Sequence, residues 1–286
     1  MKRIVLSLAM VCVAVTMACA QTVQTVESFT IRGGGDQEIP VKVYVPKGEG
    51  PFPAMVVMHH CAGIRSVTVE WTQRLVEWGY VVAVPDSFTP RGYPKGVCGD
   101  GSKVGYVTRA TDAYAALHLL EQRKDVIAAH IGVMGHSHGG MTTLATASNA
   151  IAKTAQSRAG ATETFHAAVA FYPWCGDDTT AFTYGNGPTY MTRVPLLMLV
   201  GAMDDWTPAA ACEDLAKASI RGNQPVQITV YPDARHSFDG VAPVIKVAEA
   251  RKGKGATIGG NPAARAASIV ATRAFLADHL GGSRAQ

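Results

Sequence analysis

Charge is scarce in this chain of 286 residues. Asp, Glu, Lys and Arg make up 17% of it, and the formal net charge is only +4. No run of Lys and Arg interleaved with aromatics is present, which argues against a nucleic-acid partner. Arg251, Lys252 and Lys254 form one small basic group in a glycine-rich stretch and read as solvated surface. Beyond the N-terminus no apolar run has the roughly 20 residues a transmembrane helix needs. No internal repeat is visible, which leaves out solenoid and propeller architectures. The 48% hydrophobic content is enough for one large core, and the chain reads as a single domain over 21–286.

The N-terminus has the pattern of a targeting segment. Lys2 and Arg3 precede the apolar stretch Ile4 to Met17, and Ala18-Cys19-Ala20 has the small-x-small form of a cleavage site. Residues 1–20 therefore read as a signal peptide, and the mature protein as secreted or periplasmic with no membrane association. A lipid anchor at Cys19 is the weaker reading, because the bulky Met17 fits a lipoprotein box poorly. Removal of the signal takes Cys12 and Cys19 with it and leaves Cys61, Cys98, Cys175 and Cys212. An even number of cysteines in an exported chain favours disulfides. Of the three connectivities, Cys61–Cys98 with Cys175–Cys212 is preferred, since each pair joins neighbouring strand-end segments; four free buried thiols are the alternative.

Apolar periodicity gives the element order. A hairpin, Val23 to Arg32 and Ile39 to Tyr44, leads into buried strands at Ala54 to Met58 and Tyr80 to Val84, with a helix from Val69 to Trp78 between them. A glycine- and proline-bearing stretch, Asp86 to Lys103, is long enough to be a functional loop. Helix Thr108 to Arg123, strand Ile131 to Met134, a helix from Met141 to Ala150 and strand Ala167 to Tyr172 follow. After the irregular stretch Pro173 to Thr192 come strands Val194 to Val200 and Val226 to Tyr231, with helix Ala209 to Ile220 between them. Pro243 to Pro262 reads as a surface insertion, and Ala263 to Leu280 as a closing helix ended by Gly281. Strands alternating with helices imply an α/β fold: a mainly parallel central sheet with helices on both faces.

The chemistry concentrates at strand ends. Gly135-His136-Ser137-His138-Gly139 joins a strand to a helix, the context of a nucleophile elbow, in which the serine hydroxyl is lifted off the sheet. A hydroxyl nucleophile needs a base and an orienting carboxylate. The strand ending at Val200 is followed by Asp204-Asp205-Trp206-Thr207-Pro208, and the strand ending at Tyr231 by Ala234-Arg235-His236-Ser237-Phe238. Ser137, Asp204 and His236 thus appear in an order and at strand ends that suit a catalytic triad. Asp205 reads as a helix cap or solvent residue, and Asp233 and Asp239 as loop carboxylates. The backbone amides of Cys61 and His138 are the candidate oxyanion donors; a disulfide at Cys61 would stiffen that loop. His60 and His138 are placed at the pocket mouth, and Trp174, Trp206, Tyr190 and Phe238 are candidates for an apolar pocket or for core packing. No metal is expected, because His136 and His138 straddle a tight turn and should point apart. No cofactor is required.

With these residues in view, the chain resembles the dienelactone hydrolase family of the α/β-hydrolase fold. The likeness rests on His59-His60-Cys61-Ala62-Gly63, Asp86-Ser87-Phe88-Thr89-Pro90-Arg91-Gly92, the elbow, Asp204 with Pro208, and Ala234-Arg235-His236-Ser237-Phe238. It implies Ser137 as nucleophile, Asp204 as orienter and His236 as base, and offers Arg91 as a substrate-carboxylate ligand. The founding enzymes carry cysteine where this chain has Ser137. They also have an arginine shortly after the histidine, where this chain reads Phe238-Asp239-Gly240. The reading is a secreted serine esterase acting on a small-molecule ester or lactone. The alternatives are a polysaccharide deacetylase, a peptidase, or a non-catalytic binding protein on the same scaffold.

Overall fold

The computed structural model describes residues 23–176 and 190–282. The segment read as an export signal, with Cys12 and Cys19, lies outside them, as does most of the irregular stretch expected after strand Ala167 to Tyr172. The first two strands, β1 (Val23–Arg32) and β2 (Glu38–Pro46), pair antiparallel as the expected hairpin. Then come β3 (Phe52–Met58), α1 (Ser66–Glu77), β4 (Val81–Pro85), α2 (Tyr106–Glu121), β5 (Val126–His136) and α3 (His138–Ala147). A helix absent from the sequence reading, α4 (Asn149–Ala159), follows at once. Ser148 stops α3 by turning its backbone extended (ψ 131°), and its hydroxyl then caps α4 by accepting from the Ala150 amide. β6 (Ala167–Phe171), β7 (Leu196–Gly201), α5 (Ala209–Arg221) and β8 (Val226–Tyr231) complete the repeat.

One eight-stranded sheet has the order β1-β2-β4-β3-β5-β6-β7-β8. β2 also pairs antiparallel with β4, and from β4 to β8 every pair of neighbours is parallel. Side chains alternate across this sheet. Ala54, Val56 and Met58 of β3 pack with α2, α3 and α4 on one face, and Met55 and Val57 face Trp71, Leu75 and Val76 of α1 on the other. Burial of both faces is why the central strands read as continuous apolar runs. On α1 the buried residues recur as Thr68, Trp71, Thr72, Leu75 and Val76, the spacing of a single helical stripe.

The stretch expected as a surface insertion holds a small ribbon, β9 (Ile245–Val247) paired with β10 (Ala256–Ile258), around a short helix, α6 (Ala250–Gly253). It does more than cover surface. Ile258 bridges to His236, and the Gly259 amide donates to the His236 carbonyl at 2.9 Å. The chain closes with α7 (Pro262–Leu280), whose Phe275, Leu276 and Leu280 fill the α1 side of the core.

Candidate active site

The elbow is built by close approach. Ser137 has φ 54° and ψ −115°, a strained conformation that β5 and α3 hold on either side. A Cβ on Gly139 would stand 2.0 Å from the Met58 carbonyl oxygen, so only glycine lets α3 lie against the end of β3. The Ser137 amide donates to the Phe171 carbonyl at 2.9 Å, tying the turn to β6.

Two further strand ends meet this serine. His236 Nε2 is 2.9 Å from Ser137 Oγ, and His236 Nδ1 is 2.8 Å from Asp204 Oδ2. Asp204 also accepts from the Trp206 and Thr207 amides, both at 2.8 Å, and from the Thr207 hydroxyl at 2.8 Å. A carboxylate so supplied with donors stays ionised. Burial alone would raise its pKa, but the charge and hydrogen bond of His236, helped by Thr207, outweigh that and hold it below the ordinary value. An acceptor at Asp204 fixes the proton on Nδ1 and leaves Nε2 to accept from the serine hydroxyl. The Trp206 ring lies over the imidazole, centroids 4.9 Å apart, and Tyr172 meets it edge-on at 4.7 Å. Asp205 is turned away, accepting from the Thr257 amide at 2.7 Å, so adjacent carboxylates have separate work.

The expected disulfides are both present, Cys61–Cys98 and Cys175–Cys212. Cys61 follows β3, and its amide, like that of His138, has no backbone acceptor among the described residues. His60 sits beside the site, and its Nδ1 accepts from the Ala62 amide. Burial and the nearby His136 and His236 pull its pKa down to about 4, so it is neutral there.

Several expectations are corrected. Arg91 does not face a substrate: its guanidinium makes a bidentate ion pair with buried Asp112 at 2.8 Å and donates to the carbonyls of Gly34 and Ser87. His138 is buried away from the mouth, with Nδ1 2.8 Å from Arg109 and Nε2 3.0 Å from the Gly101 carbonyl. Of the two readings held for Phe238 and Tyr190, core packing is the one that holds: both are fully buried. Trp174 is half-buried, its ring against Gly176. Asp239 is no loose loop carboxylate. It is fully buried and accepts from Trp71 Nε1 at 2.7 Å and the Tyr172 hydroxyl at 2.8 Å, with His136 Nε2 at 3.2 Å. Thr207 and Arg109 were not singled out from sequence. Thr207 had a usable signal, its place between Asp204 and Pro208.

Known proteins place the chain more firmly. The family model described as "Dienelactone hydrolase family" matches residues 39–279. A Yersinia pestis protein named "Putative carboxymethylenebutenolidase" is 26% identical over 219 residues, covering 73% of this chain and 77% of that one. Among solved structures, a propionate-bound thermophilic esterase from Thermogutta terrifontis superposes with a TM-score of 0.64 at 15% identity, over 91% of this chain and 96% of that one. A dienelactone hydrolase-like promiscuous phosphotriesterase from metagenomic libraries superposes at 0.61 with 17% identity, over 90% and 100%. The chain is a member of the dienelactone hydrolase family, with the α/β-hydrolase fold and the hydrolase character that family carries.

Proposed function

We propose that this hydrolase is a serine esterase that cleaves carboxylic esters or lactones through an acyl-enzyme. The observation that carries the reading is the unbroken contact Asp204–His236–Ser137, at 2.8 and 2.9 Å, on one edge of the sheet. His236 Nε2 takes the hydroxyl proton as Ser137 Oγ attacks the ester carbonyl, and Asp204 stabilises the imidazolium that forms. The amides of Cys61 and His138 receive the negative charge on the former carbonyl oxygen. Collapse of that intermediate expels the alcohol, which leaves with the proton from His236. Water, deprotonated by the same imidazole, then attacks the acyl-enzyme, and Ser137 regains its proton as the acid departs.

The substrate is assigned as a small uncharged ester or lactone. Arg91, the cation offered for a substrate carboxylate, is already engaged by Asp112, and the neutral His60 and the Trp206 ring flank the serine and its base. The protein is assigned to an oxidising compartment, periplasmic or extracellular. Two disulfides support this, and no helix among the described residues is long and apolar enough to cross a membrane. The test is turnover of p-nitrophenyl esters and simple lactones, with fluorophosphonate labelling. Ser137→Ala should lower kcat by at least about 10³-fold, abolish labelling and leave the melting temperature intact. A Ser137→Ala protein with most of its activity would refute the proposal, as would an unlabelled and inactive wild type.

A further inference from the structure

A fully buried guanidinium sits between the two segments that carry the proposed oxyanion donors. Arg109, on the first turn of α2, has no accessible surface. One amino group donates to the His59 carbonyl at 2.8 Å, two residues before Cys61. The other donates at 2.8 Å to Nδ1 of His138, the residue after the nucleophile. Its Nε has no partner, and no carboxylate lies within ion-pair distance of it among the described residues. Phe88 fills the space between these groups, with the guanidinium 4.8 Å from its ring and the His59 and His138 rings edge-on at 4.6 and 5.6 Å. His138 continues the chain of contacts, donating from Nε2 to the Gly101 carbonyl in the loop after β4.

A buried charge with one neutral carbonyl, one imidazole and an idle Nε is a poor source of stability; apolar residues of similar volume commonly do as well or better. Its geometry, by contrast, is specific. Only a rigid planar fork spans the end of β3 and the start of α3 with two bonds of equal length. We propose that Arg109 is a positioning residue that fixes the Cys61 and His138 amides at one separation and orientation, by bridging the His59 carbonyl to the His138 ring. The inference rests on the acyl-transfer reading above. Burial and the Arg109 charge draw the His138 pKa down to about 3, so its Nδ1 stays an acceptor. Burial also lowers Arg109, to about 9, which leaves it charged at neutral pH. The bridge therefore persists wherever the enzyme is folded and near neutrality.

The test uses the full chain, p-nitrophenyl ester kinetics and four variants. Cutting the bridge at either end, with Arg109→Met or His138→Leu, should lower kcat by about 10- to 100-fold and leave KM within about threefold, because the donors act on the oxyanion and not on bound ester. Arg109→Lys, which reaches only one of the two acceptors, should fall between wild type and Arg109→Met. The discriminating pair is His138→Leu against His138→Gln. The glutamine oxygen accepts from Arg109 and its amide donates to Gly101, so Gln should run at least about tenfold faster than Leu at equal melting temperature. The Arg109→Met, His138→Leu double variant should be no slower than the slower single one, since both remove the same bridge. If Arg109→Met does not fold, the His138 pair decides alone: equal kcat for Leu and Gln overturns the inference. An active, fluorophosphonate-labelled wild type whose variants all keep kcat also overturns it, with the esterase reading untouched. A wild type with neither turnover nor labelling removes that reading first.

Discussion

The two disulfides set up a controlled comparison. Each closes a loop of the same sequence separation, 37 residues. The chain-entropy relation gives about 4 kcal/mol for a loop of this size, so either bridge should cost the same when opened. For a domain of this length that is roughly 8–16 °C in melting temperature, a large share of a typical stability. What differs is where the bridges lie. Cys61–Cys98 anchors the segment whose amide is the proposed oxyanion donor, and the Val97 amide donates to the Cys61 carbonyl at 2.7 Å alongside it. Cys175–Cys212 ties the segment after β6 to α5. Cys98→Ala and Cys212→Ala should therefore lose similar stability by thermal melt. Assayed well below both transitions, only Cys98→Ala should lose kcat, by about tenfold, a fraction of what deleting an oxyanion donor costs. Equal kcat losses, or a Cys98→Ala enzyme with unchanged kcat at low temperature, would show that the bridge does nothing for the donor loop.

Acid should destabilise the fold before its carboxylates titrate. His59, His60 and His138 all have folded pKa values below the ordinary 6.5, chiefly through burial, with His60 at about 4 and His138 at about 3. Their unfolded forms bind protons below pH 6.5 while the folded ones do not, so this stability is complete above 6.5 and is lost as pH falls toward 4 and 3. His138 alone accounts for about 2 kcal/mol at pH 5. Melting temperatures at pH 7.5 and 5 should show a smaller drop for His138→Gln than for wild type; parallel drops would refute the assignment. Asp239→Asn replaces a buried carboxylate that accepts from Trp71 and Tyr172 and should cost about 3 kcal/mol in urea unfolding, with an unchanged midpoint as the contrary result.

The features legible in the sequence were those with a local cause. Apolar runs with turn residues at their ends show the succession of strands and helices along the chain, and β8 is bounded correctly because its alternating run is flanked by Gln224-Pro225 and Pro232. The elbow, the order of Ser137, Asp204 and His236, and the cysteine pairing were readable because strand ends of a parallel sheet share one edge. What escaped has no local mark. An arginine on a helix reads the same whether it faces water or, like Arg109, sits among His59, Phe88 and His138. Arg91 was offered to a substrate because Asp112, 21 residues away, gives no sign that it will take the guanidinium. Asp239 looked solvated because its donors come from α1 and the end of β6. The helix expected over Met141 to Ala150 runs through Ser148 and stops short of α4, because nothing local marks Ser148 as the end of one helix and the cap of the next.

The ribbon of β9 and β10 constrains how this chain can vary. Its Gly- and Lys-rich composition resembles a segment that tolerates changes of length, yet its register sets the height of the His236 imidazole. Ile258 must stand opposite His236, the Gly259 amide beneath the His236 carbonyl, and Thr257 against Asp205. A Cβ on Gly260 would come within 2.3 Å of the Gly240 carbonyl oxygen, so the return toward α7 has no slack. One residue added or removed between Ile258 and Asn261 would displace the Gly259 amide from the His236 carbonyl and so move the imidazole.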